Sequence, residues 1–285
     1  MKIAVVGSGV AGLTAAHLLS RSHDVVLFEQ DDRAGGHAHT VRVDLTDETH
    51  WVDTGFLVYN EPNYPGLIAL FADLGVATAP SDMSFGVSDE VTGIEWRGTD
   101  ANTVFAQRRN AVRPAFLRML VDIARFNRRA RGLLETSTDM TVTLADLLAD
   151  GRWSRRLLEW YLVPMGSSIW SADPSTFLEM PALTFARFFA NHGLLEFGNQ
   201  PAWRTVAGGS RHYVDAIVGR LGDRVRLDAP VRSLARHEDG VDVVSPAGTE
   251  RFDQVVVAAH SDHIAICPSS ATLAGARGPP CFLAR

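Results

Sequence analysis

The 285-residue sequence is poor in the groups that mark several broad classes of protein. Its two cysteines, Cys267 and Cys281, form no Cys-x-x-Cys spacing, so neither a disulfide framework nor a thiolate metal site organises the chain. A reducing, cytoplasmic location fits that usage. No apolar run reaches the roughly 20 residues that a membrane-spanning helix needs. Positive charge is not in excess either: 27 basic against 33 acidic residues leave a net charge of −6, which excludes a global field drawing in nucleic acid. Lysine is almost absent, since Lys2 is the only one among those 27 cations. Internal repeats and low-complexity tracts are missing as well. What is there, 46% apolar and 21% charged residues, describes an ordinary globular chain long enough for two domains or one discontinuous one.

The apolar stretch from Ile3 to Leu19 is not read as a secretory signal, because Gly7, Gly9, Gly12 and His17 interrupt it and no small-residue cleavage site follows. It reads instead as a buried parallel strand over 2–6 and a helix over 11–21, followed by a second strand over 24–29. Segments 39–45 and 50–56 flank the polar turn Thr46-Asp47-Glu48 as a hairpin, and 63–74 returns to a helical pattern ended by Gly75. Short strands alternate with turns over 84–107. From Arg113 to Leu195 the pattern is almost wholly helical, with breaks at Pro164, Pro174 and Pro181. After Gly208-Gly209 a helix over 211–221 and strands over 224–227, 231–236, 241–245 and 254–259 restore α/β grammar.

The expected architecture is therefore α/β. A discontinuous Rossmann-like domain that binds FAD or NAD(P) occupies 1–60 and 204–263, an inserted and mainly helical α+β substrate or cap domain occupies 61–203, and 264–285 is a poorly ordered tail.

One motif carries chemistry. Gly7-Ser8-Gly9-Val10-Ala11-Gly12 stands between a strand and a helix, with Glu29 ending the next strand about 20 residues on. In that context Gly7 permits the tight turn, Gly9 admits a pyrophosphate to the helix N-terminus, and Gly12 lets helix and sheet pack closely. Glu29 would accept hydrogen bonds from ribose hydroxyls and repel a 2′-phosphate, which disfavours NADP.

The run Glu29-Gln30-Asp31-Asp32-Arg33-Ala34-Gly35-Gly36-His37 resembles the E-x-x-x-R-x-G-G-[R/H] signature of the flavin-containing amine oxidase and phytoene desaturase superfamily. Val52-Asp53-Thr54-Gly55-Phe56 resembles its D-x-G element, and Thr205 to Ser210 its later Gly-Gly turn. More narrowly, Gly-Gly-His-Ala-His-Thr, Asp-Thr-Gly-Phe, Pro-Ser-Asp-Met-Ser-Phe, Asn-His-Gly-Leu-Leu and Trp-Arg-Thr-Val-Ala-Gly-Gly-Ser together resemble the bacterial NAD/FAD-binding oxidoreductases of that superfamily, over about residues 1–263. The resemblance implies FAD as cofactor. It implies that Gly7, Gly9, Val10, Ala11 and Gly12 cradle the pyrophosphate and that Glu29 holds the ribose. Arg33, Gly35, Gly36 and His37 would line the phosphate and ribityl path, Gly55 would lie near the isoalloxazine, and Val231 would sit on the strand that meets the adenine.

The sequence departs from the family pattern twice. The family's last strand and helix, with a Gly-Asp turn closing over the flavin, have no counterpart here, so a shortened C-terminal part and weak flavin retention are expected. The lysine that amine oxidases of the superfamily use against flavin N5 has no counterpart but Lys2, which the first strand claims. A standard amine oxidase mechanism is thereby disfavoured, whereas hydride transfer in a dry pocket remains open.

Other features have plainer readings. His37 and His39 share a strand face, but no further ligand cluster converges, so no metal is expected. His192, Trp160, Tyr161, Trp170 and Trp203 are expected to be mostly core, with one or two touching ligand. Eight arginines and one acid, Asp122, lie between Arg108 and Arg131, a local charge of +7. With Phe116, Leu117, Leu120, Ile123 and Ala124 they form an amphipathic helix, read first as a solvated face over core and second as a peripheral contact with an anionic membrane.

The expected function is an FAD-dependent oxidoreductase that takes a hydride from an apolar, lipid-like substrate onto flavin N5. No catalytic residue is nominated, and the partner is a small-molecule or lipid-like substrate with no nucleic acid. A non-catalytic or truncated dinucleotide-binding protein is the alternative. An NAD-linked dehydrogenase is weaker, because Arg33-Ala34-Gly35-Gly36 has no role in it.

Overall fold

The computed structural model describes residues 1–149, 151–170, 172–174, 176–196 and 201–260, and the backbone of Phe282–Leu283. The fold is mixed α/β, and its contacts divide the chain into two compact units. The first comprises Met1–Tyr59, Tyr64–Pro80 and Arg204–Arg285; the second comprises Asn60–Asn63 and Ser81–Trp203.

In the first unit, strand β1 (Lys2–Val6) is followed by helix α1 (Val10–Leu19) and strand β2 (Asp24–Phe28), which pairs in parallel with β1. Val225–Arg226 extends the sheet beyond β2, and Gln254–Val257 pairs in parallel on the other side of β1. A strand covered on both faces must be apolar at every position, which is why Ile-Ala-Val-Val shows no alternation. Ile3 and Val5 face one core with Leu13, Ala16 and Ile217 of the helices, while Ala4 and Val6 face a second with Leu234, Val243 and Phe252. That second face is covered by an antiparallel sheet of three strands, Ser233–His237, Gly240–Ser245 and Gly248–Phe252. Each such fully buried Val, Leu or Ile contributes about 1.5–3 kcal/mol relative to exposure.

The hairpin forms where expected, as β3 (Thr40–Asp44) and β4 (Thr49–Asp53) in antiparallel register. Helix α2 (Pro65–Leu74) ends at Gly75, whose φ of 71° is the left-handed C-cap that favours glycine. Its Leu70 and Phe71 are buried in the core of the first unit, so residues 64–80 belong there and not with the insertion drawn over 61–203. The expectation for 264–285 lies outside the described residues, except that Phe282–Leu283 pair in parallel with Val256–Val257.

The second unit is mainly helical, with a hairpin of Gly86–Asp89 and Ile94–Arg97. Its longest helix, Pro114–Thr136, buries Phe116, Met119, Ile123, Phe126 and Ala130, whereas Leu117 and Val121 are exposed. Phe126 packs edge-on against Phe185, which stacks on Phe189. Pro164 does not break the chain here, contrary to expectation. A π-helical turn over Leu158–Leu162 runs straight into the helix Val163–Trp170, and the wider turn accommodates the proline ring and its missing donor near the start of that helix. Among the described residues no helix is long and apolar enough to cross a membrane.

Much of the arginine cluster has partners within this unit. Arg109 and Arg131 donate to the carbonyls of Gly93 and Leu195, and Arg113 lies over the Trp160 ring. Arg118 and Arg125 both donate to Asp122, whose side chain is fully buried. Burial alone would raise the Asp122 pKa, but hydrogen bonds from Ser154, Arg118 and Arg125 outweigh it and hold the carboxyl below its usual value. A depressed folded-state pKa contributes stability above the unfolded value of about 3.9, and that stability is lost as pH falls through the folded value. Urea melts are expected to show Asp122→Asn less stable by about 2 kcal/mol at neutral pH, with the difference shrinking on acidification below about pH 4.

Candidate functional site

A cavity of about 700 Å³ opens in the first unit beyond the C-terminal ends of β1 and β2. In parallel α/β sheets this is where ligands bind, because chain reversal leaves a crevice there and helix N-termini point into it. Gly7, Gly9, Val10, Ala11, Glu29, Arg33, Gly36, His37 and Val231 all line it.

Local geometry explains each glycine differently. Gly7 sits at φ +97°, and a Cβ there would press on the Ala258 carbonyl. Gly9 is the N-cap of α1 at an ordinary φ of −62°, offers no side-chain cap, and a Cβ on it would meet nothing within 4 Å. The helix therefore presents its N-terminal amides, with the positive end of its dipole and no acidic residue in the first turn, to open space.

Gly12, Gly35 and Gly55 do not line the cavity. A Cβ on Gly12 would overlap the Gly7 carbonyl oxygen, one on Gly35 would meet the Ala38 carbonyl, and one on Gly55 would overlap the His37 carbonyl. These glycines shape the walls from behind, and close approach of two backbones is what demands them.

Glu29 is almost fully buried. Its Oε2 accepts from both the backbone amide and the hydroxyl of Ser8, and its Oε1 accepts from the Asp31 amide at 3.1 Å. Oε1 thus keeps a free lone pair and Oε2 does not. Ser8 in turn accepts from the Gly35 amide through its carbonyl at 3.0 Å and its hydroxyl at 3.2 Å. Arg33 donates to the Gly36 carbonyl at 3.0 Å, which closes the turn over Gly9.

Sequence reasoning left several wall residues unassigned, Ser8 and Tyr213 among them. Ser8, an unassigned position of the glycine motif, joins that motif to the Glu29–Gly36 run. Tyr213 on the helix Arg211–Leu221 also lines the cavity, and its buried hydroxyl has no hydrogen-bond partner among the described residues. Burial, and then the nearby Asp53, push its phenol above the ordinary tyrosine value, so it stays a neutral donor.

The D-x-G element and the Gly-Gly turn meet behind this wall. Asp53 accepts from the Ser210 amide at 2.9 Å and its hydroxyl at 2.8 Å, and Thr40 donates to the same carboxylate. Gly209, at φ +97°, leaves the space that Thr40 and Asp53 fill. Lys2 lies elsewhere, 3.6 Å from Glu250 and over the Phe252 ring, and does not line the cavity.

Residues 10–277 match the family of flavin-containing amine oxidoreductases. AofH of Mycobacterium tuberculosis, named as a flavin-containing monoamine oxidase, is 31% identical over 278 residues, covering 92% of this chain and 57% of its own. Cyclohexylamine oxidase from Brevibacterium oxydans shares the fold with a TM-score of 0.67 at 22% identity, over 90% of this chain and 57% of that one. A CLA-producing fatty acid isomerase from P. acnes does so with 0.65 at 15% identity, over 94% and 61%. The chain spans little more than half the length of these relatives. It belongs to the flavin-containing amine oxidoreductase family, whose flavin is FAD.

The Asp53 contacts hold the hairpin to the start of the helix Arg211–Leu221. Asp53→Asn is expected to lower unfolding free energy by about 2 kcal/mol in urea melts, since one amide face must then meet the Ser210 donors.

Proposed function

From that membership we propose that the chain is an FAD-dependent oxidoreductase in which the first unit is a Rossmann-like FAD-binding domain and the helical unit is an inserted substrate domain. The observation that carries the reading is the open space in front of Gly9, at the N-terminus of α1 and beyond the ends of the parallel strands. In this reading Gly7, Gly9, Val10 and Ala11 hold the pyrophosphate, because backbone amides and the helix dipole there favour anionic oxygen. The free lone pair of Glu29 Oε1 accepts from a ribose hydroxyl, Val231 borders the adenine, and Arg33, Gly36 and His37 border the phosphate and ribityl path.

FAD, when bound, supplies a ring that accepts a hydride. The protein's part is to orient the substrate and exclude water. We assign the substrate to an apolar, lipid-like class. One point supports that choice: relatives of this fold bear names that include a fatty acid isomerase besides amine oxidases.

The test is a visible absorbance spectrum of the purified protein after FAD is added and the excess removed. Retained flavin bands are expected, and a colourless protein that binds NAD instead would overturn the reading. Glu29→Gln keeps the volume and one acceptor, and is expected to weaken FAD affinity by about tenfold through loss of a charge-assisted bond. Unchanged affinity would remove Glu29 from the site.

A further inference from the structure

The outer face of the helix Pro114–Thr136 carries side chains that the core of the second unit does not use. Pro114, Leu117, Val121, Arg125 and Arg128 follow one another at spacings of three, four, four and three residues, so they share one face, and all five are exposed. Leu117 is 39% and Val121 55% exposed, and Val112, just before the helix, is 81% exposed. The opposite face is committed to the core through Phe116, Met119, Ile123 and Phe126.

Single exposed apolar residues are ordinary. These stand among positive charges in a chain whose net charge is −6. Arg118 and Arg125 converge on Asp122, yet the Asp122 side chain is fully buried while theirs are 51% and 41% exposed. Two guanidinium groups thus reach solvent over one hidden carboxylate. Arg118 also donates to the Arg152 carbonyl at 2.9 Å, and the Ser154 amide donates to Asp122 at 2.9 Å, which fixes the 152–154 turn beside the helix. That turn adds Arg152, itself exposed, and the following Arg155 and Arg156 share one acid, Glu159. Within Pro114–Thr136 five arginines stand against two acids, Asp122 and, at the far end, Glu135.

We propose that this face is a docking surface for an anionic lipid bilayer, with Leu117 and Val121 entering the headgroup region and Arg118, Arg125, Arg128 and Arg152 meeting the lipid phosphates and carboxylates. Cations alone would serve a nucleic acid equally well. Apolar side chains among them gain nothing on a phosphate backbone, whereas a bilayer boundary removes them from water. Arginine suits the part, because its guanidinium grips phosphate as a fork and is more weakly hydrated than an ammonium group. The contact is peripheral, since no described helix is long and apolar enough to cross a membrane. The surface consists of residues of the second unit and stands or falls independently of the flavin assignment.

Co-sedimentation of the whole chain with vesicles of phosphatidylcholine alone, and of phosphatidylcholine with about 30% phosphatidylserine, tests this. Binding is expected to be about tenfold or more tighter to the anionic vesicles and to weaken as salt rises from about 0.05 to 0.5 M. Arg128→Glu combined with Arg152→Glu should lower that affinity about tenfold or more. Leu117→Ser combined with Val121→Ser should lower it by about the same factor with the charge unchanged. Urea melts of both double variants are expected to match the natural chain, which separates lost docking from lost folding. Equal binding to the two kinds of vesicle, no binding to either, or full binding by either double variant would overturn the proposal. So would tighter binding to a DNA duplex that Leu117→Ser with Val121→Ser leaves unchanged.

Discussion

The buried carboxyl group of Glu29 is the point on which the geometry of the first unit turns. It stands at the end of β2, takes the amide and hydroxyl of Ser8 from the end of β1, and takes the Asp31 amide from the turn that follows. Ser8 then receives the Gly35 amide. Three stretches of chain, 7–12, 29–31 and 35–37, are thereby fixed to one another by polar contacts in a place where unpaired groups would cost about 1–3 kcal/mol each. A crevice lined by backbone amides is held open only if the loops around it cannot relax into it, and this set of bonds prevents that.

Glycines complete the frame by opposite means. At Gly12, Gly35 and Gly55 another backbone already occupies the position of a side chain, so these residues allow helix, turn and hairpin to approach. At Gly9 no atom occupies it, and the room faces the cavity. The first group sets the shape and the last leaves the room. The antiparallel sheet over the far face of the parallel strands, and the Asp53 contacts to Ser210, supply the rigidity behind them.

Much of this was legible in the residues. Continuous apolar runs identified the buried parallel strands, the Thr46-Asp47-Glu48 turn identified the hairpin, and Gly75 marked the end of α2. Nine of the proposed wall residues do meet at one cavity, because a glycine motif placed between strand and helix leaves few other foldings. What was not legible depends on contacts distant in sequence. Ser8 reads as filler until Glu29 is beside it, and Tyr213 reads as an ordinary core aromatic until its hydroxyl is found without a partner. The side chains of Leu70 and Phe71, not any local pattern, assign 64–80 to the first unit. Pro164 was read as a break because local rules cannot foresee the π-turn that absorbs it. Of His192, Trp160, Tyr161, Trp170 and Trp203, expected to be mostly core with one or two touching ligand, Tyr161 lines a cavity of the second unit.

The central claim is that the space before Gly9 is the cofactor's. The measurement that tests it most directly is an FAD titration followed by flavin fluorescence, on the natural chain and on Gly9→Leu, with unfolding free energies measured alongside. The backbone at Gly9 is in a region open to any residue, so leucine should fold with little change in stability. The account predicts FAD affinity lower by on the order of a hundredfold, about 3 kcal/mol, with stability intact. Undiminished FAD binding by a well-folded Gly9→Leu protein would contradict it.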